Sequence, residues 1–440
     1  MKRISLFLIT FLIFAGFSLK AQAPAGSSSA LNYTGLENKL KKSDAEIQDP
    51  KKNTKAKTWT SRANLLVDIF NVNNDVLRKG MDATSVKLFY KEPKEVQTFQ
   101  QGGDKIENYI YERVTLTFLN GLLDTWTETV RIHPDPLGEA QKAIDEAVKV
   151  NADGKANSDI KDAIIAVKAA LETEAVSAYE KKNFKASHAA FVQILNLNKQ
   201  PLMAGVVDTL IMYYGGRAAL ENGDYKESNR LFEEAAANKF EDPFLYVFSK
   251  QSYFESGDTA SGVKVITEGY NKYPDNQSIM IEIINYYLIS NQGEEALKLL
   301  AKAKASDPEN VSYPFAEGTL YDKMGRFEEA EKAYMTCIEM KPDFLDASYN
   351  LGVIYYNKAV KIYEEASKIT SNDEYEKAKT EGDNMLLKAV PYMEKVVATE
   401  AKDAESLKTR KYALESLKTI FYRLKMDDKY KEVVSKLNEI

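Results

Sequence analysis

The sequence predicts an all-α fold, a solenoid of stacked helical hairpins. Residues of one type recur at a constant interval of 34 in the second half of the chain. The tyrosines in this series are Tyr253, Tyr287, Tyr321 and Tyr355, and the prolines are Pro274, Pro308 and Pro342. A fixed period of this length is typical of helix pairs that bury their faces against neighbouring pairs. Such an architecture binds partners.

The clearest copy of the repeat begins at Phe315 and reads FAEGTLYDKMGRFEEAEKAYMTCIEMKP. Its small residues Gly318 and Ala330 mark a helix crossing, because larger side chains there would push the two helices apart. Gly325 suits a left-handed turn between the helices, and Pro342 ends the second helix. This pattern resembles a tetratricopeptide repeat (TPR), and the resemblance implies a right-handed superhelical solenoid.

The same intervals predict the organisation of the helical part of the chain. We expect degenerate repeats over 135–204, TPR repeats over 205–413 and a capping helix pair over 414–440. The small residue expected soon after Tyr355 comes only at Ala389, which predicts an elongated hairpin at about 346–402. At 1.5 Å per residue, its tip would project roughly 18 Å beyond the stack.

Near the N-terminus the helical period is interrupted. Solenoid helices are expected over 32–73, and the next helix signal begins at Pro136, so residues 74–134 form a small insertion. Within it, apolar residues alternate with threonines from Val114 to Phe118, and Asn120-Gly121 follows as a two-residue hairpin turn. This alternation predicts a small α/β module with an antiparallel sheet.

The insertion carries a resemblance of its own. Its run GMDATSVKLFYKEP from Gly80 is similar to the SmpA/BamE-type fold of outer-membrane assembly lipoproteins. The similarity covers a short stretch, and Lys91 and Glu92 stand where that fold has a glycine ahead of the proline. An unrelated sheet that decorates the solenoid is the alternative.

The first 21 residues have the pattern of a secretory signal peptide. Lys2 and Arg3 precede an apolar run over 4–19, and small residues surround Ala21, after which we expect cleavage. A retained membrane anchor is the alternative, although the run is short for a span. Removal of 1–21 deletes three cations and no anion, so the net charge moves from -6 to -9. Residues 22–31 are expected to be a flexible leader.

The segment YNLGVIYYNKAV, followed later by PYMEKVV, resembles the corresponding segments of TPR proteins exported by Bacteroidota. That resemblance implies a Gram-negative envelope and a periplasmic location, with a secreted or outer-membrane-associated position as variants. The mature chain is expected to contain no transmembrane span. Its acidic charge gives it no electrostatic reason to bind nucleic acid.

Catalytic motifs are missing from the sequence. It has two histidines, His133 and His188, and one cysteine, Cys337, and it contains no HExxH, phosphate loop or nucleophile elbow. We therefore predict that the protein is not an enzyme and uses no cofactor or metal.

The remaining candidate site is the surface of the stack. In TPR proteins the first helix of each hairpin lines a groove, into which the residues three before and one after the Gly318-type position point. The predicted partner-binding residues are Tyr213, Arg217, Gln251, Asn285, Phe315, Thr319, Tyr349 and Tyr356. Some TPR proteins bind a terminal carboxylate through a lysine at a position that Phe315 and Ile281 occupy here. An apolar or aromatic ligand segment therefore fits better, although some of these side chains could simply pack on adjacent hairpins.

Three functions follow from these patterns. The leading hypothesis is a non-enzymatic periplasmic scaffold that binds a protein or peptide segment of the cell envelope in the groove. The first alternative is an accessory factor of outer-membrane protein assembly or secretion. The second is an envelope enzyme or glycan binder that uses the insertion, with Trp126, Tyr109 and Tyr111 stacking on a sugar.

Overall fold

The computed structural model describes residues 31–290, 292–400 and 404–438. The predicted signal peptide, and the predicted leader up to residue 30, lie outside these residues. The chain forms two compact units that divide between residues 259 and 260. They are the N-terminal unit, described from residue 31, and the C-terminal unit, described to residue 438.

The N-terminal unit has nine α-helices among its described residues. They are α1 (Tyr33–Gln48), α2 (Ala56–Asn74), α3 (Ala83–Val86), α4 (Pro136–Val150), α5 (Asn157–Glu180), α6 (Phe184–Asn198), α7 (Thr209–Glu221), α8 (Tyr225–Ala237) and α9 (Pro243–Glu255), with a short 3-10 helix at Pro201–Met203. α2 packs against α1, α4 and α5, so the insertion separates α2 from α4 in sequence and not in space. Their apolar faces form one continuous core, as stacked hairpins require.

The insertion contains an antiparallel sheet with strand order β1-β2-β3-β4. The strands are β1 (Glu95–Gln101), β2 (Asp104–Ile110), β3 (Val114–Leu119) and β4 (Leu122–Glu128). Between β3 and β4, Asn120 and Gly121 have φ values of 52° and 84°, the left-handed backbone that the predicted turn requires. Leu116 and Phe118 are buried on the face that packs against α3. The predicted small α/β insertion is confirmed.

A buried polar cluster joins the insertion to α1 and α2. Asn73 of α2 is only 1% exposed, and its Oδ1 accepts hydrogen bonds from the hydroxyls of Tyr33 and Tyr90, the latter at 2.6 Å. The Asn73 Nδ2 donates to the carboxylate of Glu128 in β4. Burial raises the pKa of the Tyr33 hydroxyl and of the Glu128 carboxyl. Asn73 therefore satisfies polar groups from three segments of the chain. No other described side chain is a common partner of all three groups.

The C-terminal unit is helical throughout its described residues. Its helices are α10 (Thr259–Lys272), α11 (Gln277–Ile289), α12 (Gly293–Ser306), α13 (Ser312–Lys323), α14 (Phe327–Met340), α15 (Leu345–Ala366), α16 (Asn372–Ala398), α17 (Ala404–Arg423) and α18 (Asp427–Asn438). α11 packs with α12, α13 with α14, α15 with α16, and α17 with α18. Together with the helix pairs of the N-terminal unit, these hairpins confirm the predicted α-solenoid.

Helices α13 and α14 cross closely at a glycine. A Cβ atom added to Gly318 would lie 2.6 Å from the ring of Tyr334, so the ring occupies the space that a side chain would need. Tyr334 is 1% exposed and packs in the core of the C-terminal unit. Gly325 has a φ of 73° in the turn between the two helices, as its position predicts.

The hairpin formed by α15 and α16 is longer than its neighbours. The two helices have 22 and 27 residues, against 12 and 14 in α13 and α14. In the extended part, the Tyr363 ring lies over Gly382 and its hydroxyl donates to Asp383 Oδ1 at 2.5 Å. The guanidinium of Arg423 in α17 lies 3.6 Å from the centroid of the Tyr363 ring. Side-chain packing therefore continues beyond the length of an ordinary hairpin.

Candidate partner-binding site

The eight predicted partner-binding residues lie on the first helices of successive hairpins. We call the surface formed by Tyr213, Arg217 and Gln251 on α7 and α9 the N-terminal face. The C-terminal face consists of Asn285 on α11, Phe315 and Thr319 on α13, and Tyr349 and Tyr356 on α15. Each face belongs to one unit.

Tyr213 lies in the core of the N-terminal unit. It is 4% exposed, and its ring centroid lies 4.8 Å from that of Phe240 and 5.2 Å from that of Tyr214. Burial raises the pKa of its hydroxyl. The repeat register predicted a groove position for Tyr213, but its ring is enclosed by its own unit and packs in the core. Arg217 and Gln251 are therefore the side chains that the N-terminal face offers to a partner.

Arg217 is half-buried and lies among aromatic rings. Its guanidinium carbon is 4.5 Å from the ring centroid of Phe248 and 5.6 Å from that of Tyr179, whose hydroxyl accepts a hydrogen bond from Nη2 at 3.3 Å. Within the described part of the chain, no carboxylate forms an ion pair with it. The rings hold the cation by cation–π attraction and fix its orientation. Gln251, on the next first helix, is exposed.

The C-terminal face has a hydrogen-bonded centre. Tyr334 extends from α14 past Gly318, and its hydroxyl donates to Thr319 Oγ1 at 3.2 Å and accepts from Asn350 Nδ2 at 3.3 Å. Phe315 packs beside this centre, with its ring 5.8 Å from that of Tyr334. The arrangement connects α13, α14 and α15 and leaves Phe315 and Thr319 half-buried at the surface.

Two tyrosines extend the C-terminal face along α15. The ring of Tyr349 lies 6.4 Å from the ring of Tyr412, and burial raises the pKa of its hydroxyl. Tyr356 is half-buried against the core, and its hydroxyl has no hydrogen-bond partner among the described residues. Asn285 on α11 is also half-buried. The hydroxyl of Tyr356 is therefore available to a partner.

The structure adds Asp322, which the sequence analysis missed. It follows Phe315 and Thr319 along α13 at helical spacing, is half-buried, and forms no side-chain hydrogen bond or ion pair among the described residues. Burial raises the pKa of its carboxyl. The sequence did contain a signal that Asp322 is unusual at its position in the repeat. Steps of 34 residues from Asp322 reach apolar or aromatic residues only, namely Leu220, Phe254, Leu288 and Tyr356.

We predict that Asp322→Asn stabilises the protein at neutral pH. The folded state raises the pKa of this acid above 3.8, so the ionised carboxylate destabilises the fold above the raised pKa. As the pH falls through that pKa and below about 3.8, the carboxyl becomes protonated in both states and the penalty disappears. Urea unfolding of both proteins should therefore show an advantage of the variant at pH 7 that disappears in acid. An advantage independent of pH would contradict this origin.

The described residues contain no group of three His, Cys, Asp or Glu side chains suited to a metal ion, and no helix with the length and apolarity of a membrane span. Cys337 is buried, which raises the pKa of its thiol to about 12. The three rings proposed for sugar stacking are half-buried and pack against the core of the insertion, where the Trp126 Nε1 donates to Asn74 Oδ1 at 3.0 Å.

Residues 315–366 match the family model described as tetratricopeptide repeat. A search of curated proteins found no match. Among solved structures, "YrrB: a TPR protein with an unusual peptide-binding site" is 16% identical with a TM-score of 0.34, covering 40% of this chain and 88% of that one. MamA AMB-1 is 19% identical with a TM-score of 0.31, and the match covers 42% of this chain and 88% of that one.

A "TPR repeats protein (BF2334) from Bacteroides fragilis NCTC 9343" is 20% identical with a TM-score of 0.25, covering 56% of this chain and 97% of that one. Similarities this distant do not bear on function. The family match falls on α13, α14 and α15, the helices that carry most of the C-terminal face. Residues 315–366 are therefore similar to a tetratricopeptide repeat.

Proposed function

We propose that this protein is a non-enzymatic scaffold that binds a protein or peptide segment on the first helices of its hairpins. The observation that carries the proposal is the C-terminal face. Phe315, Thr319, Tyr349 and Tyr356 are half-buried on consecutive first helices, all within the segment that matches the repeat family. Rigid aromatic side chains bury a large area at little entropic cost, which suits them to anchor a partner.

The supporting helices hold this face in place before any partner arrives. The ring centroid of Phe315 lies 5.0 Å from that of Phe344 in an edge-to-face arrangement, and the Tyr334 hydroxyl donates a hydrogen bond to Thr319. A surface that is already ordered loses little entropy on binding, and preorganisation of this kind favours affinity. On the N-terminal face, Arg217 supplies a cation that the rings hold in one orientation.

Site-specific photo-crosslinking in the native host tests this function. A photoreactive phenylalanine analogue at Tyr356 should capture a protein, whereas the same analogue at Tyr375, an exposed tyrosine on the elongated hairpin, should not. The double change Phe315→Asp and Tyr349→Asp should reduce capture at least about tenfold, since interface aromatics dominate binding energy.

Because Phe315 also packs inside the unit, Thr319→Lys provides a second variant at a half-buried polar position. Thermal melting should show that each variant is folded. Equal capture at positions 356 and 375, or capture that survives all these changes, would remove the C-terminal face as a binding site. Recovery of outer-membrane assembly proteins would favour the accessory-factor alternative.

We also propose that the protein is exported to the periplasm of a Bacteroidota-type cell and meets an envelope partner there. The support is the basic, apolar and small-residue order of the first 23 residues. Mass spectrometry of the protein purified from its host should find a mature chain that begins at Gln22. An intact N-terminus in the cytoplasmic fraction would contradict export.

A further inference from the structure

Asp322 adds an unpaired carboxylate to the C-terminal face, whose five defining side chains carry no charge. Phe315, Thr319 and Asp322 lie on one side of α13 at spacings of four and three residues. Tyr356 occupies the position equivalent to Asp322 in the next hairpin, 34 residues on. A half-buried charge costs stability unless a partner compensates it.

Three cations of the neighbouring helices pair with other carboxylates. Lys304 binds Glu317 at 2.9 Å, Arg326 binds Glu329 at 2.8 Å, and Lys358 binds Glu331 at 3.0 Å. None of these three forms an ion pair with Asp322, and no other described cation does so. Among the described residues, Asp322 therefore has no compensating cation.

A second carboxylate lies near Tyr349. Glu415 of α17 is exposed and close enough to Tyr349 to raise the pKa of that hydroxyl, and it forms no ion pair among the described residues. Two uncompensated carboxylates, Asp322 and Glu415, thus accompany the aromatic side chains of the C-terminal face. Charge complementarity favours a basic occupant over an acidic one.

We infer that Asp322 receives a lysine or arginine side chain of the bound segment, with apolar neighbours of that residue on Phe315 and Tyr349. The inference rests on the proposed function and names the chemistry of its ligand. A cation would form a charge-assisted hydrogen bond with the half-buried carboxylate, where water competes less than at an open surface. The Tyr356 ring on the next first helix is suited to contact the stem of the same side chain or its cation.

Selection of peptides from a random phage-displayed library on the immobilised full chain tests this inference. The enriched peptides should share a lysine or arginine flanked by apolar residues. Binding of a synthetic enriched peptide should weaken at least about tenfold with Asp322→Asn, while Asp343→Asn, an exposed carboxylate in the turn before α15, should leave it unchanged. Replacement of the basic residue of the peptide by glutamine should weaken binding to the native protein and have little further effect on the Asp322→Asn variant.

The outcomes separate the inference from the proposed function. Enriched peptides without a shared basic residue, or an affinity that Asp322→Asn leaves unchanged while Phe315→Asp abolishes it, would overturn the inference and leave the scaffold function standing. Failure to enrich any peptide over the bare support would count against the scaffold function itself. A loss of binding caused by misfolding would appear in the melting curve of the variant.

Discussion

Asn73→Leu should lower the free energy of unfolding of the N-terminal unit by about 3 kcal/mol or more. The leucine has a similar volume but leaves the hydroxyls of Tyr33 and Tyr90 and the carboxylate of Glu128 without their common partner. Each buried polar group that loses its hydrogen bond costs about 1–3 kcal/mol. Because these groups come from α1, the loop after α3 and β4, the loss should loosen the attachment of the insertion.

Tryptophan fluorescence and urea denaturation measure this effect. With Trp59→Phe as the background, Trp126 becomes the reporter, and its indole donates to Asn74, the neighbour of the altered residue. We expect a red-shifted emission before global unfolding. Asn71→Leu is the matched control, since it makes the same change on α2 at a half-buried side chain without a hydrogen bond among the described residues. If both variants lose the same stability, the cluster has no special role.

Tyr334→Ala should cost the C-terminal unit about 3–5 kcal/mol, the range for removal of a large buried ring. The change empties the space over Gly318 and removes the hydroxyl that joins Thr319 and Asn350. Tyr334→Phe keeps the ring and loses the hydroxyl alone, so we expect about 1 kcal/mol. Hydrogen exchange of the α13 and α14 amides measures the stability loss of both variants, because stacked repeats open locally.

A double-mutant cycle connects the ring to the glycine. Gly318→Ala places a methyl group 2.6 Å from the ring in the native protein and should destabilise it, whereas in a Tyr334→Leu background the same change should cost less. The double variant should therefore lose less stability than the sum of the two single losses. Additive losses would mean that the ring can move aside without cost, and the close crossing would then not explain the glycine.

The regular features of this protein were predictable because they repeat. The 34-residue interval predicts where hairpins begin and end, and Asn120-Gly121 predicts a turn that the backbone adopts. The long α15 and α16 likewise follow from the delayed position of Ala389. These signals are local, since each depends on a few residues and their spacing.

Side chains at equivalent register positions nevertheless have different surroundings. Tyr213 and Phe315 both stand three residues before a glycine at the crossing, yet Tyr213 is enclosed by Phe240 and Tyr214 while Phe315 remains half-buried. Burial depends on the neighbours that the next hairpin supplies, and the repeat register does not encode them. Trp126 and Tyr109 show the same limit in the insertion, where alternation does not reveal which face of the sheet packs against the core of the insertion.

Periodic spacing therefore determined the hairpin architecture, the place of the insertion and the elongated helix pair, because helix geometry converts sequence intervals directly into positions on a surface. The packing of separate hairpins decided which side chains that surface offers. It enclosed Tyr213, surrounded Arg217 with rings and left Asp322 without a cation. Contacts of this kind join residues that are distant in the chain, so their energies depend on three-dimensional packing.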